Sequence, residues 1–378
     1  MKIKYSIFEK IIENMESSIT RPTLLLDVLK CKKNISAMFE KAKRSRVQFR
    51  PHFKTHVSHE IGRWFSDLGV DRITVSSMSM AEYFASDNWN DITVAFPVNV
   101  LEINTINMMA ESINLNILIE SVESVKLLNA GLLTDVNAFI KIDVGNHRTG
   151  ISYDNHTLIN AVLEEADKSN HMHFRGFLSH AGHSYDSTSH EEVRRIHQES
   201  TTRLTTLKQH YVDRYPHLII STGDTPTCSM MEDFSAVDEI RPGNFVFYDL
   251  MQYRIGSCPV DQIAVAMACP VVAIHKERNE IIIYGGAVHF SKERIDDPTM
   301  GILYGAVVEA RGEGWGEIIE GMYLKKLSQE HGIIHVPPHL IDNYRIGDIV
   351  KILPVHSCLT GHAIRNYLTT KGEMISRL

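Results

Sequence analysis

A chain of 378 residues that is 43% hydrophobic and 22% charged holds enough apolar side chain for a large core and enough length for two domains. Its net charge of −7 and pI near 6.3 give no basic footprint of the kind that nucleic acid requires. Five scattered cysteines (Cys31, Cys228, Cys258, Cys269, Cys358), odd in number and never spaced as CxxC, argue against a disulfide framework or a structural zinc knuckle and favour a reducing, cytoplasmic setting.

Charged residues Lys2, Lys4, Glu9, Lys10, Glu13 and Glu16 interrupt the apolar ones at the start, which predicts an amphipathic helix rather than a signal peptide. Residues 23–26 read as a short buried strand, followed by a helix over 28–44 with Ile35, Met38, Phe39 and Ala42 on one face. The basic run from Lys41 to Arg46 then falls at a helix end, where cations complement the dipole. Strand and helix keep alternating. Strands are predicted at 47–49, 72–75, 92–95, 115–119, 138–144, 174–180, 218–222 and 237–241. Between them lie helical patterns that include 157–168 and 191–211. That makes nine strands, one more than an eight-stranded barrel uses, so the first is expected to belong elsewhere.

Beyond Pro242 the helical period fades. β-rich runs at 265–274, 280–284, 324–327, 333–336 and 349–353, separated by Gly, Pro, Asp and Asn, predict an antiparallel domain. The longest apolar run, 263–274, is too short to span a bilayer and contains Pro270, so no membrane span is expected. The predicted fold class is therefore α/β, a (β/α)8 barrel over 20–245 with a C-terminal antiparallel β domain over 246–378, joined by segment 1–27.

The run Arg50-Pro51-His52-Phe53-Lys54-Thr55-His56 sits where a strand hands over to a helix, the position of the catalytic rim in such a barrel. Arg50, His52 and His56 are expected to supply a cationic field that favours a neutral, nucleophilic Lys54 amine. On a β segment, residues two apart share a side, so His356 and Cys358 are candidates to share a zinc ion with positions left open for water and substrate.

Seven motifs occur in register along the chain. They are 21–27 (RPTLLLD), 51–56 (PHFKTH), 143–150 (DVGNHRTG), 180–185 (HAGHSY), 221–227 (STGDTPT), 239–244 (EIRPGN) and 356–360 (HSCLT). In this order they resemble the D-serine dehydratase and D-threonine aldolase family, alanine-racemase-like enzymes of fold type III that bind pyridoxal 5'-phosphate on a TIM-type barrel. The resemblance implies that the first strand joins the C-terminal β domain, that Lys54 forms the Schiff base, that Arg148 lies near the cofactor's ring oxygen, and that His180 and Tyr185 lie beside the ring, with Tyr185 at the pyridine nitrogen. It also implies zinc (Mn2+ as the alternative) on His356 and Cys358, and a homodimer.

Phosphate is best held by N–H groups at Gly-rich turns, which Ser221-Thr222-Gly223 and Pro242-Gly243-Asn244 provide after late strands, with hydroxyl donors from Ser221, Thr222 and Thr225. Leu359 and Val57 depart from the family's common residues. The expected reaction is dehydration of a 3-hydroxy D-amino acid, D-serine first, to a 2-oxo acid and ammonia. The alternatives are a metal-dependent D-threonine aldolase and a non-catalytic pyridoxal phosphate carrier.

Overall fold

The structure is a computed structural model that describes residues 19–312 and 314–378; the predicted N-terminal amphipathic helix lies outside them. The chain divides into two compact units. One holds residues 35–245 and 255–257, and the other holds the described residues up to Asn34 together with 246–254 and 258–378. No described helix is long and apolar enough to cross a membrane.

The strands begin with β1 (Thr23–Leu26), which belongs to the second unit. The barrel strands follow as β2 (Gln48–Phe49), β3 (Ile73–Val75), β4 (Asp91–Pro97), β5 (Asn114–Ile119), β6 (Val136–Asp143), the short β7 (Ile151–Ser152) beside β6, β8 (Met172–Ser179), β9 (Ile219–Thr222) and β10 (Glu239–Ile240). Among the described residues, eight of them form one parallel sheet in the order β2-β10-β9-β8-β6-β5-β4-β3. A single bridge between His52 and Thr74 closes the circle, supported by Phe53 N–H on the Thr74 carbonyl at 2.8 Å and Thr74 N–H on the Pro51 carbonyl at 2.9 Å. The seam of the barrel thus runs immediately before Lys54.

Helices alternate with the strands because their apolar residues recur every three or four positions. His190–Tyr211 buries Val193, Ile196, Leu204, Leu207 and Tyr211, and it starts at Ser189, whose hydroxyl accepts the Glu192 N–H at 3.2 Å. Gly176 in β8 is required by close approach, since a Cβ there would lie 1.9 Å from the Ile219 carbonyl oxygen.

The basic run at the end of the first helix (α1, Val28–Ser45) behaves differently from the expectation. Lys43 and Arg44 occupy its last turn, but Lys41 is buried and turns away from its own helix end. Its ammonium donates to the carbonyls of Cys228, Ser229 and Met231 at 3.1, 2.7 and 2.9 Å, closing the last turn of helix Thr225–Met230, and pairs with Glu232 at 3.1 Å. A buried ammonium needs acceptors, and those orphan carbonyls supply them.

In the second unit the strands are β11 (Val265–His275), β12 (Glu280–Tyr284), the separate hairpin β13 (Ile295–Asp297) and β14 (Gly301–Leu303), β15 (Gly305–Arg311), β16 (Gly314–Leu327), β17 (His331–His335), β18 (Ile349–Pro354), β19 (Asn366–Thr369) and β20 (Met374–Ser376). The sheet order is β12-β17-β16-β15-β18-β11-β1-β19-β20, and β12 also pairs with β11, so six strands close into an antiparallel barrel. β1 lies antiparallel to β11 and parallel to β19, which resolves the surplus strand. Its Leu24, Leu25 and Leu26 are fully buried. The run 324–327 is only the end of β16, and β15, β19 and β20, which lack a clean apolar run, were not anticipated.

Candidate active site

Two clusters carry chemistry, one in each unit. The first lies at the carboxyl ends of the barrel strands. Phe53, fully buried, packs at ring-centroid distances of 5.0 Å against each of Phe65, Phe84 and Trp89 and anchors the turn on which the exposed Lys54 stands. The His52 ring nitrogen Nδ1 accepts the Lys54 main-chain N–H at 3.4 Å. Three residues on, the β-branched Val57 holds a positive φ of 41° while buried, a backbone strain of the kind that persists where surrounding packing imposes it.

The charges around Lys54 are not those expected. Arg50 points into the barrel, where Nε donates to Glu239 at 2.6 Å and Nη1 to Asp91 at 2.6 Å, so its charge is neutralised there. His52 is held well below the usual imidazole range, by burial first and then by Lys54, Arg241, His180 and Arg148, so it is neutral. His56 is buried in the Phe53 aromatic cluster. The cations facing this end are instead Arg148, Arg241 and Lys141. Burial first, then Arg241 and Arg148, lower the Lys141 ammonium to about 7, and burial lowers even Arg241 to about 10.

His180, just past β8, has Nδ1 3.0 Å from the Gly223 carbonyl. A carbonyl only accepts, so Nδ1 carries the proton. Burial, with the charges of Lys54, Lys141 and Arg148, keeps that ring well below the usual imidazole range against the opposing Gly223 bond. Asp143 shapes the loop that carries Arg148, its Oδ1 accepting the N–H groups of Gly145, Asn146 and His147 at 2.9, 3.0 and 3.1 Å.

The two glycine turns come together. A Cβ at Gly223 (φ +135°) would meet the Arg241 nitrogen at 2.5 Å, and one at Gly243 would meet the His52 carbonyl oxygen at 2.9 Å. Asn244 is buried and opens the short turn Asn244–Val246. Thr225 is buried, with its Oγ1 accepting the Phe245 N–H at 3.3 Å.

Three side chains of this group have partners within the barrel. The Ser221 hydroxyl donates its one proton to Glu239 at 2.6 Å and accepts from Arg241 Nε at 2.6 Å, so it is a link of the barrel interior instead of a free phosphate donor. Thr222 Oγ1 lies 2.9 Å from Ser179 Oγ. The Tyr185 hydroxyl oxygen accepts the Thr225 N–H at 3.2 Å, which puts the phenol at the turn after β9 in this structure.

Asp224, buried beside them, accepts from Ser184 at 2.7 Å and from Thr227 N–H and Oγ1 at 2.9 and 2.8 Å, yet burial pushes it up to about 6. Arg241, Lys141, Glu239 and Asp224 were missed as site residues. The available signal was a charged residue at alternate positions of an otherwise apolar strand, as in 138–144 (AFIKIDV) and 239–241 (EIR).

The second cluster is in the β unit. His356 and Cys358 are not on a strand: β18 ends at Pro354, His356 precedes helix Ser357–Ala363, and Cys358 is in its first turn. Proline cannot continue the ladder, and the chain turns there. The two side chains nevertheless hydrogen-bond to each other, and Asp249, fully buried, lies 3.7 Å from His356 Nδ1. Burial alone would lower the imidazole, but Cys358, then Asp249 and Glu293, raise it to about 9. Among the described residues no set of three His, Cys, Asp or Glu side chains converges as a metal cage.

Both donor sets fit the groups that the sequence implies. The barrel cluster offers an amine, three cations and two glycine turns that pass only without a Cβ, which suits an anionic, carbonyl-bearing cofactor. An imidazole touching a thiol suits zinc, with coordination positions left over.

The family described as "Alanine racemase, N-terminal domain" matches residues 26–250, and that described as "Putative serine dehydratase domain" matches residues 264–370. The chain is 27% identical to the D-serine dehydratase of Dictyostelium discoideum, over 93% of each chain, and 25% identical to the D-threo-3-hydroxyaspartate dehydratase of Delftia sp., over 91% of this chain and 92% of that one. The solved structure of the Delftia enzyme superposes with a TM-score of 0.88 at 24% identity, covering 96% of this chain and 99% of that one, and a D-threonine aldolase from Filomicrobium marinum with 0.79 at 17% identity, covering 95% of each. The two family matches, laid end to end over the barrel and the β unit, place this chain in the D-serine dehydratase and D-threonine aldolase family of alanine-racemase-like proteins.

Proposed function

We propose that the protein is a pyridoxal phosphate- and zinc-dependent lyase that dehydrates a 3-hydroxy D-amino acid to a 2-oxo acid and ammonia, with D-serine as leading substrate and D-threonine and D-threo-3-hydroxyaspartate behind it. The observation that carries this reading is the Lys54 turn, which stands among Arg148, Arg241 and two imidazoles held neutral. Relatives over nine-tenths of the chain are named as dehydratases. When bound, pyridoxal phosphate supplies an electron sink for bond breaking at Cα.

In this reading Lys54 Nζ holds the cofactor and, once free, takes the α-proton. Arg148 would serve the ring-oxygen side of the cofactor, and Gly223, Gly243, Asn244 and Thr225 would hold its phosphate. His180, fixed by Gly223, would orient the ring with Tyr185. His356 and Cys358 would hold zinc, or manganese, which as a Lewis acid would ease loss of the β-hydroxyl. Solved structures of D-threo-3-hydroxyaspartate dehydratase variants support the pair: they replace a histidine and a cysteine two positions apart, and the cysteine variant is described in its metal-free form. A thiol at the second position, where an aldolase would favour a carboxylate, leans toward dehydration. Family likeness further supports a homodimer, and the dispersed free cysteines support a cytoplasmic setting.

The test is release of ammonia and 2-oxo acid from protein supplied with pyridoxal phosphate and zinc, offered the three substrates with and without EDTA. Release of both products that EDTA abolishes is expected. Glycine with an aldehyde would move the assignment to an aldolase, and a yellow, inert protein to a cofactor carrier.

A further inference from the structure

Asp249 is fully buried, as an ionised carboxylate seldom is unless it is bonded on every side. It stands at the start of helix Leu250–Ile255, and its Oδ1 accepts the Gln252 N–H at 2.9 Å. Its Oδ2 accepts the Ser357 N–H at 2.9 Å and the Ser357 hydroxyl at 3.3 Å. The same Oδ2 faces His356 Nδ1 at 3.7 Å. Two main-chain donors, one from each of the segments that meet there, hold the carboxylate so that it cannot rotate off the ring. Serine at 357 thus ties the residue next to His356 to the group behind His356.

From this arrangement we infer that Asp249 is the positioning residue of the metal site, fixing the His356 ring with Nδ1 inward and Nε2 toward the metal. At 3.7 Å the pair is an ion-pair contact longer than a hydrogen bond, and because a carboxylate oxygen accepts and does not donate, it favours the ring form with its hydrogen on Nδ1. The lone pair for a metal is then on Nε2. A metal-bound imidazole whose other N–H is held by a carboxylate keeps its orientation and is a more basic ligand, and loss of such a support lowers metal affinity by roughly 10–100-fold. The inference rests on the zinc reading above. It adds a residue that neither touches the metal nor belongs to the His-x-Cys pair, and it lies 107 positions away in sequence from His356.

The experiment is zinc affinity of the full-length protein by competition with a chelator, for the native chain and for Asp249→Asn, which keeps the shape and an acceptor oxygen but removes the charge. A roughly 10–100-fold weaker zinc affinity is expected in the variant at a temperature where its metal-free form is folded, the melt itself being lowered because Asn keeps one of the two acceptor oxygens used by the Gln252 and Ser357 N–H groups. Equal affinities would overturn the inference while leaving the zinc reading intact, whereas a native chain that binds no zinc would remove both. Should Asp249→Asn not fold, nitrogen-15 NMR of the native zinc-loaded protein decides: zinc on Nε2 with hydrogen on Nδ1 of His356 is expected, and zinc on Nδ1 overturns it.

Discussion

Two layers of the same barrel interior use the same residue types to opposite ends. Toward the amino ends of the strands, Arg50 is bonded to both Glu239 and Asp91, and Asn116 donates to Asp91 at 2.9 Å, so the cation there is matched by carboxylates. Toward the carboxyl ends, Lys141 donates only to the Ile142 carbonyl at 3.3 Å, and Arg241 donates to Ser221 and to the Ser179 carbonyl, with no carboxylate bonded to either. The lower layer is a buried ion pair that holds strands together; the upper one carries buried cations with no bonded carboxylate among the described residues, which fits the anionic cofactor proposed above.

Removing the balance in the lower layer has the largest expected effect on the fold. Glu239→Ala leaves Arg50 Nε and the Ser221 hydroxyl without their acceptor and should cost about 3–5 kcal/mol by urea denaturation. A loss under about 1 kcal/mol would mean that the lower layer is no more balanced than the upper.

Lys141 should behave in the opposite way. In the unfolded chain a lysine holds its proton to the usual 10.5, whereas in the fold Lys141 releases it near 7. Between those values the unfolded chain binds more protons, so stability rises with pH; the penalty is full below pH 7 and gone above 10.5. Lys141→Met should therefore be more stable than the native chain at pH 7, by up to ~4 kcal/mol, and should lack that rise between pH 7 and 10. Parallel stability profiles for the two proteins would refute an uncompensated Lys141.

The smallest effect belongs to a lysine outside both layers. Lys41→Met strands three carbonyls at the end of helix Thr225–Met230 and should lower stability by about 1–3 kcal/mol in thermal or urea melts. A neutral change would show that solvent replaces the ammonium there.

Much of the fold could be read because its signals are local. The alternation of apolar strands with helical periods up to residue 241, the loss of that period afterwards, and the count of one strand too many all follow from residues close in sequence, and all have counterparts in the structure. β15 and β19 escaped because their partners β18 and β1, far away in sequence, and not a local apolar run, help make them strands, and β20 because a short hairpin onto β19 does. The turn of His356 and Cys358 onto a helix escaped for the same reason: the donor that fixes it, Ser357 N–H, is held by Asp249.

The sequence by itself determined which residue types stand at the strand ends, among them Lys54, the glycines 223 and 243, and the His-x-Cys pair, because side-chain chemistry and turn geometry are written locally. Only the tertiary structure decided which charges cancel. Arg50 is silenced by Glu239, 189 positions away, while Arg241, two positions from that same glutamate, remains positive beneath the site. Electrostatics depends on distance in space and on burial, and neither is visible until the strands have closed into a barrel.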